Sequence, residues 1–339
     1  MYEEIMKRIR DFYKEHPEAT AEVFEGEILS SKNSILSIFF AKEIKGANID
    51  KHAQVVIDNK NPKKILEFAY EVDGANLKQL GDAIIKGKDP ECNFEFAFEF
   101  EGADIKRHGQ AIIDSGDPKW NYKYAKEIPG ADIKKHAKAV LKSKNAKYNR
   151  LFAQNIKGAN IEEHEKVVIA SNDPEECYYF AKEIPGADIT KLAQVVIKSN
   201  NAKWNRLFAE NIKEANIEEH EKVVLAKEEP EECCLFAQNV KGANIKAHEK
   251  IVLASNDPEL SYYFAQNVEG ANILEHAAIM LISSDSFTKK IYKNFLEDKG
   301  IDVSKLMSEL YIPEEDNEQV KQENEIKVLL RKMRYRSIA

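Results

Sequence analysis

Glycine returns on a fixed beat through most of this chain: Gly46, Gly74, Gly102, Gly130, Gly158, Gly186, Gly242 and Gly270 are spaced by multiples of 28, and Glu214 fills the one gap. An alanine keeps the same beat from Ala41 to Ala265, and nine units run from 33 to 284 without insertion or deletion. A period between about 20 and 50 residues marks a repeat architecture whose units cover one another's apolar faces by stacking. Residues 145–172 and 201–228 are nearly copies, which suggests duplication in blocks of two repeats.

One unit, 117–144, reads DPKWNYKYAKEIPGADIKKHAKAVLKSK. Asp117 is a helix N-cap and Pro118 takes the first helical position, where its missing N–H costs nothing. The first helix is predicted to run to about Ile128, with Tyr124, Ala125 and Ile128 on its apolar face. Gly130 supplies the positive φ that ends it. Asp132 caps a second helix whose apolar residues are Ile133, Val140 and Leu141. Two helices of about eleven residues are each roughly 16 Å long, too short a pair to bury its own apolar faces. The aromatic at the eighth position (Phe68, Phe96, Tyr124, Phe152 and their equivalents) beside the small alanine predicts a continuous aromatic interior.

The fold expected is all-α: a right-handed-type α-solenoid of nine 28-residue helix–turn–helix repeats over 33–284, with helical caps over 1–32 and 285–311. Beyond these, 312–339 reads as an acidic linker and a basic helix, about 319–335, carrying Lys327, Arg331, Lys332, Arg334 and Arg336. In architecture, 33–284 resembles the broad class of α-helical hairpin solenoids, such as HEAT, tetratricopeptide and pentatricopeptide arrays. The tetratricopeptide W-x-x-L-G-x-x-Y pattern is absent, and the unit is shorter than in those families. The resemblance implies binding of proteins, peptides or RNA along an extended surface.

A net charge of −8 and a pI near 5.7 argue against a non-specific nucleic-acid binder. No run of 18 or more apolar residues exists, so no membrane partner is expected. The N-terminal segment carries charges throughout and lacks the apolar stretch of a signal peptide. Cys92, Cys177, Cys233 and Cys234 form no C-x-x-C pattern and read as reduced core residues of a cytoplasmic protein.

Seven of the eight histidines (His52, His108, His136, His164, His220, His248 and His276) occupy the twentieth position of their repeats, and Leu80 and Leu192 fill that slot elsewhere. Histidines a whole repeat apart, about 10 Å at ordinary helix spacing, cannot share a zinc ion bound at roughly 2 Å, so packed structural histidines are expected and no metal or other cofactor. The Glu-Glu-His triplets at 162–164 and 218–220 recur with the repeat, there is no H-E-x-x-H, and the glycines lack a following GK[ST]. A catalytic site needs one singular arrangement; the expectation is therefore a protein that is not an enzyme.

Positions four to seven of the first helix change from repeat to repeat among aromatic, Arg, Asn and Cys while the core is held. Trp, Tyr and Arg are enriched at binding hot spots. Either these residues pack between repeats or they meet a partner; in the second case Trp120, Tyr122, Tyr148, Arg150, Tyr178, Trp204 and Arg206 are the contact residues, with Lys134, Lys135 and Lys138 from the most basic repeat. Charge alternates along the array, acidic in 89–116 and 257–284 and basic in 117–144, which suits one protein partner with complementary patches. The leading expectation is thus a non-catalytic scaffold gripping a protein, and block duplication suits host–parasite or regulatory conflict. The alternative is single-stranded RNA binding, one repeat per base, with Asn93, Asn121, Asn149 and Asn205 as readers and Arg331 and Arg334 on the backbone.

Overall fold

A computed structural model describes residues 2–283 and 286–310. Among them lie 22 helices and no strand. The chain is an α-solenoid in which helix pairs repeat every 28 residues and pack in succession, and it divides into two compact units, Met1–Ser171 and Asn172–Ala339. The first holds the N-terminal cap, repeats 1 to 4 (33–60 to 117–144) and nearly all of repeat 5 (145–172). The second holds repeats 6 to 9 (173–200 to 257–284) and the C-terminal cap. The segment 312–339, with Arg331 and Arg334, lies outside the described residues.

In repeat 4 the helices are Pro118–Glu127 and Ile133–Ser143. The Asp117 carboxylate accepts the Lys119 and Trp120 N–H groups at 2.8 and 3.2 Å, and Asp132 accepts that of Lys135 at 3.2 Å. Between the helices, the Ala131 N–H closes on the Ile128 carbonyl at 3.2 Å with Gly130 at φ +83°. Pro then Gly at the two central positions is the sequence of a type II turn. Glu214 replaces that glycine in repeat 7 without a positive φ, and the same bond forms at 3.0 Å. The second helices end in a further left-handed residue, which is Lys144 here, Gly116 in repeat 3 and Asn256 in repeat 8.

The eighth-position aromatics form the core of each unit: Phe40, Phe68, Phe96, Tyr124 and Phe152 in the first, Phe180, Phe208, Phe236 and Phe264 in the second, all sealed from solvent. The N-terminal cap, Tyr2–Glu15 and Glu22–Ser30, follows the hairpin more closely than its sequence suggests. Phe12 and Phe24 stand where a repeat carries its aromatic and its histidine, edge to face at 4.9 Å. The cap is a degenerate repeat in register, so the array begins before residue 33.

Candidate interaction surface

The repeated histidines are interior residues, all seven at most 1% exposed. Each lies against the aromatic of its own repeat, with ring centroids 4.8–5.2 Å apart. Loss of hydration holds His108, His136, His164, His220 and His276 down to about 4, and His52 and His248 below the ordinary imidazole range. All are neutral near pH 7.

A neutral buried imidazole needs polar company, and the chain supplies it in two ways. In repeats 3, 4, 5 and 7 the partner is the asparagine at the fifth position. Asn121 donates through Nδ2 to the Ile112 carbonyl of the preceding repeat at 3.0 Å and to the Asp117 carbonyl at 2.8 Å. Both are acceptors only, so Oδ1 faces His136 Nδ1 at 2.9 Å and that nitrogen carries the proton. Asn93, Asn149 and Asn205 repeat the clamp on His108, His164 and His220 at 2.7–2.8 Å. In repeats 1, 8 and 9 the fifth residue is Ser37, Cys233 or Ser261, and a glutamate at the twenty-first position of the preceding unit stands beside the ring instead, hydrogen-bonded to it only at His248. Glu25, Glu221 and Glu249 lie 3.4, 3.1 and 3.4 Å from Nε2 of His52, His248 and His276. The same carboxylates accept the N–H of Asn48, Asn244 and Asn272, which start the second helices.

The two solutions are mutually exclusive along the chain. Every asparagine at the fifth position follows a small residue at the preceding twenty-first (Gly81, Gly109, Ala137, Ala193), and every glutamate there is followed by Ser or Cys. After the two glycines steric room reinforces this: a Cβ on Gly81 would meet the Phe96 ring at 2.9 Å, and on Gly109 the Tyr124 ring at 3.0 Å.

The asparagines expected to read bases are therefore interior clamps, wholly buried and fully bonded, with no edge for a nucleobase. The hot-spot candidates form a ladder between first helices, the sixth residue of one repeat meeting the fourth of the next. Phe94 meets Trp120 at 5.4 Å, Tyr122 meets Tyr148 at 6.2 Å and Tyr178 meets Trp204 at 5.6 Å. Arg206 continues the ladder as an ion pair with Glu232 at 2.6 Å. Trp120, Tyr122, Tyr178 and Arg206 are buried by these contacts, and Tyr148, Trp204 and Arg150 are partly exposed. Their variation records which pairs fit side by side. Lys134, Lys135 and Lys138 are exposed on the second helix of repeat 4, away from the ladder.

Solvent instead meets the tenth position, exposed in all nine repeats: Lys42, Tyr70, Phe98, Lys126, Gln154, Lys182, Glu210, Gln238 and Gln266. Lysines rest on the ladder rings beside it, Lys123 over Trp120 at 4.8 Å, Lys126 over Tyr122 at 5.7 Å and Lys182 over Tyr178 at 5.4 Å. The cysteines are buried thiols, with burial pushing Cys92, Cys233 and Cys234 up to about 12. Among the described residues no three His, Cys, Asp or Glu gather where a metal ion could be held, and no helix is long and apolar enough to cross a membrane.

The fold defines the chain as a helical-repeat solenoid. Comparisons with protein-family models, curated proteins and solved structures return no match.

Proposed function

We propose that this chain is a non-catalytic cytoplasmic scaffold that grips a protein partner along the exposed edge of its first helices. One observation carries this reading. A single solvent-facing position changes from cation to aromatic to amide to acid between repeats, while the frame beneath it is held constant. That combination suits recognition of an extended, chemically varied partner, because stacked repeats within each unit present the variable residues at regular intervals. The repeated imidazoles, the groups best suited to acid–base work, are sealed in the interior and neutral instead. RNA reading keeps only scattered surface lysines in its favour once the asparagines are occupied inside.

The test is capture of partners by the tagged full-length protein from its native lysate, with and without nuclease. A protein bound in stoichiometric amount after digestion is the expected result. Nucleic acid bound, with proteins released on digestion, overturns the reading in favour of RNA.

A further inference from the structure

The tenth position of repeat 1 shows how this surface treats a cation. The Lys42 ammonium pairs with Glu71, the eleventh residue of repeat 2, while Lys64 neutralises Glu67, the seventh, at 2.6 Å. One repeat further on, the carboxylates recur as Glu95 and Glu99 but both cations are replaced. Tyr70 stands where Lys42 stood, and the fourth residue is the buried, uncharged Cys92. Neither Glu95 nor Glu99 has an ion pair among the described residues.

The replacement also leaves aromatic surface open. Tyr70 is 50% exposed and Phe98, its equivalent in repeat 3, is 53% exposed. The Tyr70 ring leans on Phe100 at 5.0 Å, and Phe98 stacks on Phe94 at 5.7 Å, so both are held in place. Burial and the charges of Glu99 and Glu95 raise the Tyr70 phenol. Elsewhere on this face the chain's own lysines cover the rings, whereas no cation of the described residues lies over Tyr70 or Phe98.

We propose that Tyr70, Glu95, Glu99 and Phe98 form a receptor for a lysine or arginine side chain on a basic segment of the protein partner. The incoming cation takes the carboxylate pairing that Lys42 makes one repeat earlier, and here it also meets an open ring, where cation–π attraction adds to charge. The assignment rests on the scaffold reading and names the chemistry of the partner.

The experiment is fluorescence anisotropy of the full-length protein with a labelled 12-residue peptide of alternating lysine and alanine, against its glutamate counterpart. Lysine-peptide binding is expected, and Tyr70→Lys, which installs the residue repeat 1 uses, should weaken it about tenfold, the scale of one well-placed cation contact. Gln266→Lys adds the same charge at the same position of repeat 9 and should change affinity less than about twofold if the site, not net charge, decides. The Glu95→Gln/Glu99→Gln pair should match Tyr70→Lys. Equal loss in Tyr70→Lys and Gln266→Lys, or no preference for the lysine peptide, overturns the proposal. So does binding that appears only in the full-length Arg331→Gln/Arg334→Gln variant, which would make the chain's own tail the occupant. A captured protein partner indifferent to Tyr70→Lys removes this site but leaves the scaffold, whereas capture of no protein removes the scaffold.

Discussion

A neutral imidazole in a sealed interior has one N–H to place and one lone pair left bare, and protonating that lone pair puts a charge where water cannot reach it. For His136 the faces around the ring are Tyr124 and Asn121, with Asp132 favouring and Lys135 opposing the charge from its own helix. Burial outweighs both and holds it down to about 4. The unfolded chain binds the proton near 6.5 and the folded chain does not, so the stability is complete above that value and is lost as pH falls toward 4. Each such histidine contributes a loss on the order of 2–3 kcal/mol by the acid end of that window. Repeat 2 shows an acid-proof version, with Ile65 and Leu80 in the two places. His136→Leu alone strands the Asn121 oxygen and should cost about 1–3 kcal/mol at pH 7. Adding Asn121→Ile should recover most of that and flatten the acid loss in repeat 4. Hydrogen exchange of residues 117–144 at pH 7 and pH 5 reads both effects; acid sensitivity unchanged in the double variant would refute the account.

At the scale of the helix, capping was legible in the sequence alone, because Asp or Asn one residue before Pro or Ala says where a helix begins. The aromatic interior was equally legible, since a ring beside an alanine in every repeat has nowhere else to go. The ladder was not. Trp120 or Tyr178 changes between repeats as a surface residue would, yet each faces an equally variable residue of a neighbouring repeat. Variation at an internal seam and variation at a binding face look alike in a single row of sequence. The glutamate–serine and small–asparagine pairing was present all along, but visible only by comparing each repeat with the one before it. Repeat 8 breaks the capping pattern: Glu229 replaces the usual Asp or Asn and makes no side-chain cap bond. Glu229→Asp should restore it and stabilise the second unit by about 1 kcal/mol, read as a raised urea midpoint. No gain would mean that the Pro230 start already suffices.

For the molecule as a whole, the two ways of satisfying histidine act as a rule for which repeats can be neighbours. Ahead of a histidine repeat, Gly or Ala at the twenty-first position demands asparagine next, and glutamate there demands Ser or Cys. Deleting 229–256 places Glu221 before Ser261 and His276, a pairing of the kind the chain already uses at Glu249. Deleting 201–228 instead places Ala193 before Cys233 and His248, which has neither an asparagine nor a glutamate to meet it. Both deletions remove 28 residues from the second unit and both separate Arg206 or Tyr178 from its ladder partner. Only the second leaves a buried imidazole with neither carboxylate nor amide beside it and strips His248 of its hydrogen bond to Glu221, so it should be the less stable by about 1–3 kcal/mol. Ala193→Glu in that deletion supplies the missing carboxylate and should close most of the gap. Thermal and urea midpoints of the three proteins decide the matter. Equal stability of the two deletions, or no rescue by Ala193→Glu, would show that the pairing is inherited from duplicated blocks and carries no constraint of its own. Rescue would mean that the order of repeats, and with it the order of the exposed residues at the tenth position, is held in place by the interior.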